Sequence, residues 1–312
     1  MRKKNKSSKC LLITGGIAII LMTICAFGKD AIIRKYYENK FTKKESKIEV
    51  NNYYLDDNFE YVDSYTDMVI HNKNEFTNFI YYALNSGNKN FKRVIDKNYV
   101  NYKSDVAFLL MDNGKEFKKM VSNLNDFIHP YNSSNNVNIK YGSEYVVEID
   151  IEREYTDKQI KEINDIVDKV LKEKTDNNTP IKEKIKVIHD YIIDNTSYDQ
   201  LKHNNKNDNT YNSETAYGVL IQGYGTCNGY ADAMAIFLNK LNVINYKISN
   251  DEHIWNLVFL DGKWYHLDLT WDDPMSETNT NRDTYFLIDT KTLEKLDDGA
   301  HSFDKNIYKE AA

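Results

Sequence analysis

Apolar residues recur at helical spacing in four stretches of this chain. At 74–86, Phe76, Phe79, Ile80, Ala83 and Leu84 share one face, and "SGN" ends the run. At 155–175, Thr156 is a natural cap and Gln159 completes a capping box. Ile160, Ile163, Val167, Val170 and Leu171 then form a buried stripe. After the polar break "TDNNTP", Pro180 takes the first position of a further helix with Ile181, Ile185, Ile188 and Ile192 on its face and His189 at its border. The fourth helix begins near Cys227, in "GYGTCNGYADAMAIFLNKL": Gly229, Ala231, Ala233 and Ala235 give it small faces, and Tyr230, Met234, Phe237, Leu238 and Leu241 a stripe. It reads as a buried central helix, entered through a tight turn at Gly223 and Gly225.

Alternation marks the strands. A short β-like run lies near 91–96, and "VNIKY" with "EYVVEIDIE" predicts a hairpin around Gly142. Residues 61–155 thus read as a small α/β unit without evident chemistry, and 156–312 as the larger domain. In "HIWNLVFLDGKWYHLDLTWDDP", Asp261-Gly262 is a strong hairpin signal. A two-residue loop there sets Leu260 opposite Lys263, Phe259 opposite Trp264, Leu257 opposite His266, Trp255 opposite Asp268 and His253 opposite Thr270.

A third pattern is unbroken. Residues 10–27 carry no charge and follow five cations within residues 1–9, which makes 1–28 an export signal or a membrane anchor. "AFG" at 26–28 is a passable cleavage site; Ile24 before Cys25 argues against lipidation. With positive charge kept inside, either reading places everything after about residue 28 outside the cytoplasm. Residues 29–60 are charged and weakly patterned, and read as a stalk.

Composition narrows the function. The chain is 41% hydrophobic and 28% charged with only 3 Pro, which suits a globular protein. Its 24 tyrosines show no repeat and reflect composition bias rather than a binding surface. Without the first five cations, 36 basic side chains face 47 acidic ones, a balance of −11 that excludes nucleic acid as a partner. Cys10 and Cys25 sit in the apolar segment, so Cys227 stands alone beyond it: no internal disulfide and no multi-cysteine zinc site can form there.

A thiol in the first turn of a helix lies beside unsatisfied N–H groups and the positive dipole end, which favour thiolate and can bind an oxyanion. The bland reading of Cys227 is a small buried hydrophobe. The hairpin changes the balance, because its register sets His253 and Asp268 on one face as diagonal neighbours, within side-chain reach. A carboxylate there fixes the tautomer of an imidazole whose other nitrogen can take a thiol proton. His266 shares that face but sits near the turn among aromatics and reads as packing; His301, in the polar "DDGAHSFDKN", is a weaker rival. His189 also reads as packing, and Asp272 and Asp273 as turn-bonding residues.

"GYGTCNGYADAM", "HIWNLVFLDGKWYHLDLTWDDP" and "YFLI" resemble the transglutaminase-like superfamily, over about residues 180–290, with "IKVIHDYIIDNTSYD" similar to its lead-in helix. The resemblance makes Cys227 the nucleophile, His253 the general base and Asp268 its orienting partner. It implies a papain-like α+β fold, the Cys helix packed on an antiparallel sheet. Asn228 stands where many relatives have Gln, and Ile254 where they often have Ala. Together these lead to the expectation of an extracytoplasmic thiol enzyme that acts on protein or peptide amide bonds through a thioester, as a peptidase, amidase or transglutaminase, with no metal or organic cofactor. The alternative is a catalytically silent module that docks a cell-envelope partner.

Overall fold

The computed structural model of the chain describes residues 69–107, 121, 124–141, 145–273, 282–296 and 299–311. The expected anchor or signal (1–28), the stalk (29–60) and Gly142 lie outside them. Among the described residues no helix is long and apolar enough to cross a membrane.

The first layer is a four-stranded sheet with helix α1 (Lys73–Asn85) packed against it. β1 (Val69–Ile70), β2 (Asn90–Ile95), β3 (Ser134–Tyr141) and β4 (Val146–Arg153) lie in the order β1-β2-β4-β3, parallel at β1–β2 and antiparallel elsewhere. Val147, Ile149 and Ile151 alternate inward along β4 and cluster with Phe76, Phe79 and Ile80 of α1. The start of α1 is held by Asn72 Oδ1, which accepts from Glu75 N at 3.0 Å. Arg153 closes the layer: its buried guanidinium donates to the carbonyls of Ala83, Leu84, Asn88 and Asn132. Burial lowers its pKa to about 9.

α2 (Asp157–Lys174) starts as its pattern predicts. Thr156 N donates to Gln159 Oε1 at 2.9 Å, and Gln159 N donates to Thr156 Oγ1 at 3.3 Å. α3 (Ile181–Asn195) begins one residue later than expected, with Pro180 as its N-cap. β5 (Ser197–Tyr198) leads into α4 (Gln200–Asn204). A π-helical turn at Gly218–Gln222 then ends on Gly223, whose φ of 77° is left-handed and suits glycine. β6 (Tyr224–Gly225) pairs in parallel with β5 and feeds α5 (Cys227–Lys240).

β7 (Asn245–Ser249), β8 (Ile254–Leu260) and β9 (Lys263–Leu267) form an antiparallel sheet in the order β7-β8-β9. Asp261 (φ 52°) and Gly262 (φ 77°) make the predicted tight turn, and Leu260↔Lys263, Phe259↔Trp264 and Leu257↔His266 hold the expected register. α6 (Leu269–Asp272) and α7 (Thr290–Leu296) follow.

α5 lies between α3 and this sheet. Met234 and Phe237 meet Ile185, Ile188 and Ile192 from α3 and Val258 from β8 in one core, which Tyr131 and Tyr155 also enter. An α+β arrangement with the Cys helix on an antiparallel sheet is therefore present. Polar bonds fix how α5 sits. Asp232 Oδ1 accepts from Lys247 Nζ at 2.6 Å and Oδ2 from Tyr155 OH at 2.6 Å. Asn256 Nδ2 donates to Ala231 O at 2.9 Å. Gly229 lets the helix close on the preceding loop, since a Cβ there would stand 2.2 Å from Ser213 O.

Candidate active site

Cys227 occupies the first turn of α5 and is half-buried, the one free cysteine among the described residues. Thr226, the N-cap, would ordinarily turn its hydroxyl onto the first-turn N–H groups; here it makes no such cap and donates to Ser213 O at 3.3 Å. The turn that carries the thiol therefore keeps its N–H groups free of a side-chain cap, which is what an oxyanion site needs.

His253 stands just before β8, where Asn250 Oδ1 accepts from its backbone N–H at 2.8 Å. Its ring is buried, stacked on Trp255 with centroids 5.6 Å apart, and Nε2 donates to Asp268 Oδ2 at 2.5 Å. That bond leaves Nδ1 for the thiol, and Cys227 is among the groups that stabilise the charged ring. Burial opposes that charge, but the hydrogen bond and charge of Asp268, reinforced by Cys227, override it and push the pKa up to about 10.

The two residues meet by a route other than the one predicted. β9 stops at Leu267, so Trp255 has no strand partner at Asp268; instead Asp268 is the N-cap of α6. Its Oδ1 accepts from the N–H groups of Thr270 (2.9 Å) and Trp271 (3.3 Å), and its Oδ2 takes the His253 bond. Burial would raise the pKa of this carboxyl, yet the histidine bonds and charges outweigh it and lower the pKa to about 2. Asp268 is thus an ionised, four-donor acceptor.

The fourth donor is His301, whose Nε2 lies 2.8 Å from the same Oδ2. The polar setting of His301 suggested only a weak rival for the role of base; the fold makes it a buried partner of Asp268. His266 does not touch Asp268. Its Nδ1 accepts from Trp255 Nε1 at 2.9 Å, so Nε2 carries the proton and faces Thr290 Oγ1 at 3.1 Å. Burial, then the neighbouring His301, lowers its pKa to about 3, so it is a neutral packing residue.

Asp272 and Asp273 make longer ties than the expected turn bonds. Asp272 accepts from Tyr285 N at 2.9 Å and faces His189 Nε2 at 3.2 Å, while Asp273 accepts from Tyr230 OH on α5. Both ring nitrogens of buried His189 face carboxylates, Asp190 being the second at 3.0 Å. Asn228 donates to Glu214 O at 2.6 Å, away from the triad. Tyr198, a residue with no distinguishing sequence signal, has its phenol pKa raised by burial and then by the charges of Cys227, Asp199 and Asp268, which places it beside the site.

His253, Asp268 and His301 also offer three ligand atoms to a metal. Ligands at zinc-like bond lengths of about 2.0–2.2 Å around a tetrahedral ion stand roughly 3.3 Å apart. Separations of 2.5 and 2.8 Å are those of direct hydrogen bonds instead.

This geometry falls within a known family's segment. Residues 168–269 match the transglutaminase-like superfamily. The transglutaminase-like segment contains Cys227, His253 and Asp268 and ends one residue past the last of them, whereas His301 lies beyond it. No curated protein matches the chain. A solved structure described as "Crystal structure of a TGase" is similar over 48% of this chain and 47% of its own, at 16% identity and a TM-score of 0.35. The chain thus covers less than half of that structure, and so loose a superposition carries no weight.

Proposed function

We propose that the protein is a thiol-dependent acyl-transfer enzyme acting on protein or peptide amide bonds, with Cys227 as nucleophile, His253 as base and acid, and Asp268 as the group that orients and charges His253. The 2.5 Å His253–Asp268 bond at the start of the Cys227 helix carries this reading. It fixes the proton on Nε2 and leaves the Nδ1 lone pair to take the thiol proton. The thiolate attacks an amide carbonyl carbon; the oxyanion is held by the uncapped first-turn N–H groups of α5. Nδ1–H then protonates the leaving amine, and a thioester remains on Cys227. Water or an amine, deprotonated by Nδ1, attacks the thioester and restores the thiol.

Water is the favoured acceptor, because only eleven residues separate Leu241 from His253 and the Asp261-Gly262 turn is minimal, leaving little chain to roof a lysine tunnel. The charge pattern of residues 1–28 favours a location outside the cytoplasm, tethered or released. Added protease should then reach the chain in intact cells.

The decisive test gives the full-length protein a mixed protein substrate and a tagged primary amine while cleavage, ammonia release and amine incorporation are followed together. Cleavage lost in Cys227→Ala and Asp268→Ala supports the hydrolytic reading. Cys227-dependent incorporation would replace water by an amine. A Cys227 inert both to these substrates and to iodoacetamide would defeat the enzyme reading.

A further inference from the structure

Asp268 serves two imidazoles through one oxygen. His253 Nε2 and His301 Nε2 reach Oδ2 at 2.5 and 2.8 Å, so each ring presents its Nε2–H to the same lone-pair region. The two rings meet edge to face, 89° apart with centroids at 5.1 Å. His301 is not a loosely placed polar side chain. It is buried and sits in an aromatic cage, stacked on Tyr285 at 4.7 Å and edge-on to Trp255 (5.0 Å) and Trp271 (5.1 Å). Those three rings come from three separate segments. Trp255 is itself stacked on His253, so the cage fixes both imidazoles at once.

A carboxylate oxygen shared by two N–H donors gives less of its charge to each. This matters for His253, which must first hold a proton and then surrender it to a leaving amine. A general acid works best when its proton affinity is not far above the operating pH. With Asp268 devoted to it alone, the His253 imidazolium would be a more reluctant acid. We propose that His301 is a positioning residue which draws part of the Asp268 charge away from His253, and so sets how readily the His253 imidazolium releases its proton. The inference rests on the reading of Asp268 as the partner of a catalytic His253. It adds a fourth member that lies outside the superfamily-matched segment.

Other ionisable groups face this cluster and stay in place in the test below. They are Cys227 from α5, Tyr198 from β5, His266 from β9, Asp272 from α6 and Tyr285 from the segment before α7. Of these, Cys227 helps hold the proton on His253, and Asp272, whose own carboxyl is pushed up by burial and by the charge of Asp268, bonds to His189 and the Tyr285 N–H, so neither mimics the effect of a donor on Oδ2.

Two substitutions separate the hydrogen bond from the packing. His301→Phe keeps an aromatic ring in the cage and removes the N–H; His301→Gln gives up the ring and keeps an N–H donor at the same reach. The full-length protein, labelled with ¹⁵N-histidine, is titrated by NMR while the His253 ring nitrogens are followed, and iodoacetamide alkylation of Cys227 is measured over the same pH range. In His301→Phe the pH at which His253 loses its proton should rise by half a unit or more, a threefold or larger gain in proton affinity. The alkaline limb of the alkylation profile should move with it. His301→Gln should titrate within 0.2 to 0.3 units of the parent (about a twofold change in affinity). A His253 titration unmoved in His301→Phe, or moved equally in both variants, overturns the inference and makes His301 a packing residue. The ring titration is read without thiol chemistry. An inert Cys227 therefore counts against the enzyme reading alone, and the His253 titration still decides the role of His301.

Discussion

Replacing Asp268 by Asn looks conservative, and the structure says that it is not. The carboxylate accepts from four donors: two backbone N–H groups on Oδ1 and two imidazole N–H groups on Oδ2. An amide has one oxygen. If that oxygen faces the histidines, its NH₂ meets the N–H groups of Thr270 and Trp271 and uncaps α6; if it faces the backbone, its NH₂ meets both rings. Even in the first orientation the charge is gone. A charge-assisted hydrogen bond contributes about 1.5–3 kcal/mol against about 1 kcal/mol for a neutral one. The difference of about 0.5–2 kcal/mol, at 1.36 kcal/mol per decade, takes roughly half a decade to one and a half decades from the proton affinity of His253. Its protonated form, which in the parent persists to about pH 10, should disappear roughly half to one and a half pH units lower. The assay is the rate of Cys227 alkylation by iodoacetamide from pH 5 to pH 11, with the same samples unfolded in urea. The variant should show a shortened alkaline plateau and a stability loss of about 1–3 kcal/mol from the mispaired donors. An alkylation profile in Asp268→Asn that overlays the parent's would refute the assignment of Asp268 as the group that charges His253.

Three further outcomes follow from the supports of the site. Gly229→Ala should destabilise the fold by about 3 kcal/mol or more in urea melts, because its Cβ would stand 2.2 Å from Ser213 O, a backbone atom that cannot step aside cheaply. Lys247→Met leaves Asp232 buried with its charge unopposed and should cost about 3–5 kcal/mol, with the Asp232→Asn/Lys247→Met double variant recovering much of that loss; strict additivity would show that the 2.6 Å pair is not coupled. Burial, partly offset by Lys247 and by the Ser249 and Tyr308 hydroxyls, raises the Asp126 pKa to about 6, above its ordinary 3.8. A raised carboxyl pKa stabilises the fold fully below the unfolded value and loses that contribution as pH climbs through the folded one. The parent should therefore lose about 2 kcal/mol relative to Asp126→Asn between pH 4 and pH 6.5, and parallel stability curves would contradict it.

What could be read from the sequence and what could not divides along the range of the interactions. α2 and the β8–β9 hairpin were legible because their signals are local: Thr156 and Gln159 are three residues apart, and Asp261-Gly262 sets every pair from Leu260–Lys263 to Leu257–His266 by turn geometry alone. The meeting of His253 with Asp268 was legible for a reason that proved incomplete. Period-2 alternation carried the strand through Asp268, but a side chain able to accept two backbone N–H groups ends β9 there and starts α6, so the carboxylate reaches His253 from a helix cap. The same cap explains why Asp272 and Asp273 are free for longer ties to Tyr285 and Tyr230: Asp268 has already done the local turn bonding assigned to them. His301 had no such local signal. Its neighbours are polar, its partner is 33 residues back, and the cage that holds it draws Trp255, Trp271 and Tyr285 from segments that converge only in the fold. One hint was available. Trp255, Trp271 and Tyr285 are large aromatics around a pair of polar residues, and a buried carboxylate between such rings needs more donors than one histidine supplies. Asking which distant N–H would complete the acceptor capacity of Asp268 leads to the remaining histidines. Of these, His266 is committed to Trp255 and Thr290, His189 to Asp190 and Asp272, His129 to the Tyr131 N–H and His71 to Glu75, while His203 lies exposed with its ring edge-on to Tyr198, which leaves His301.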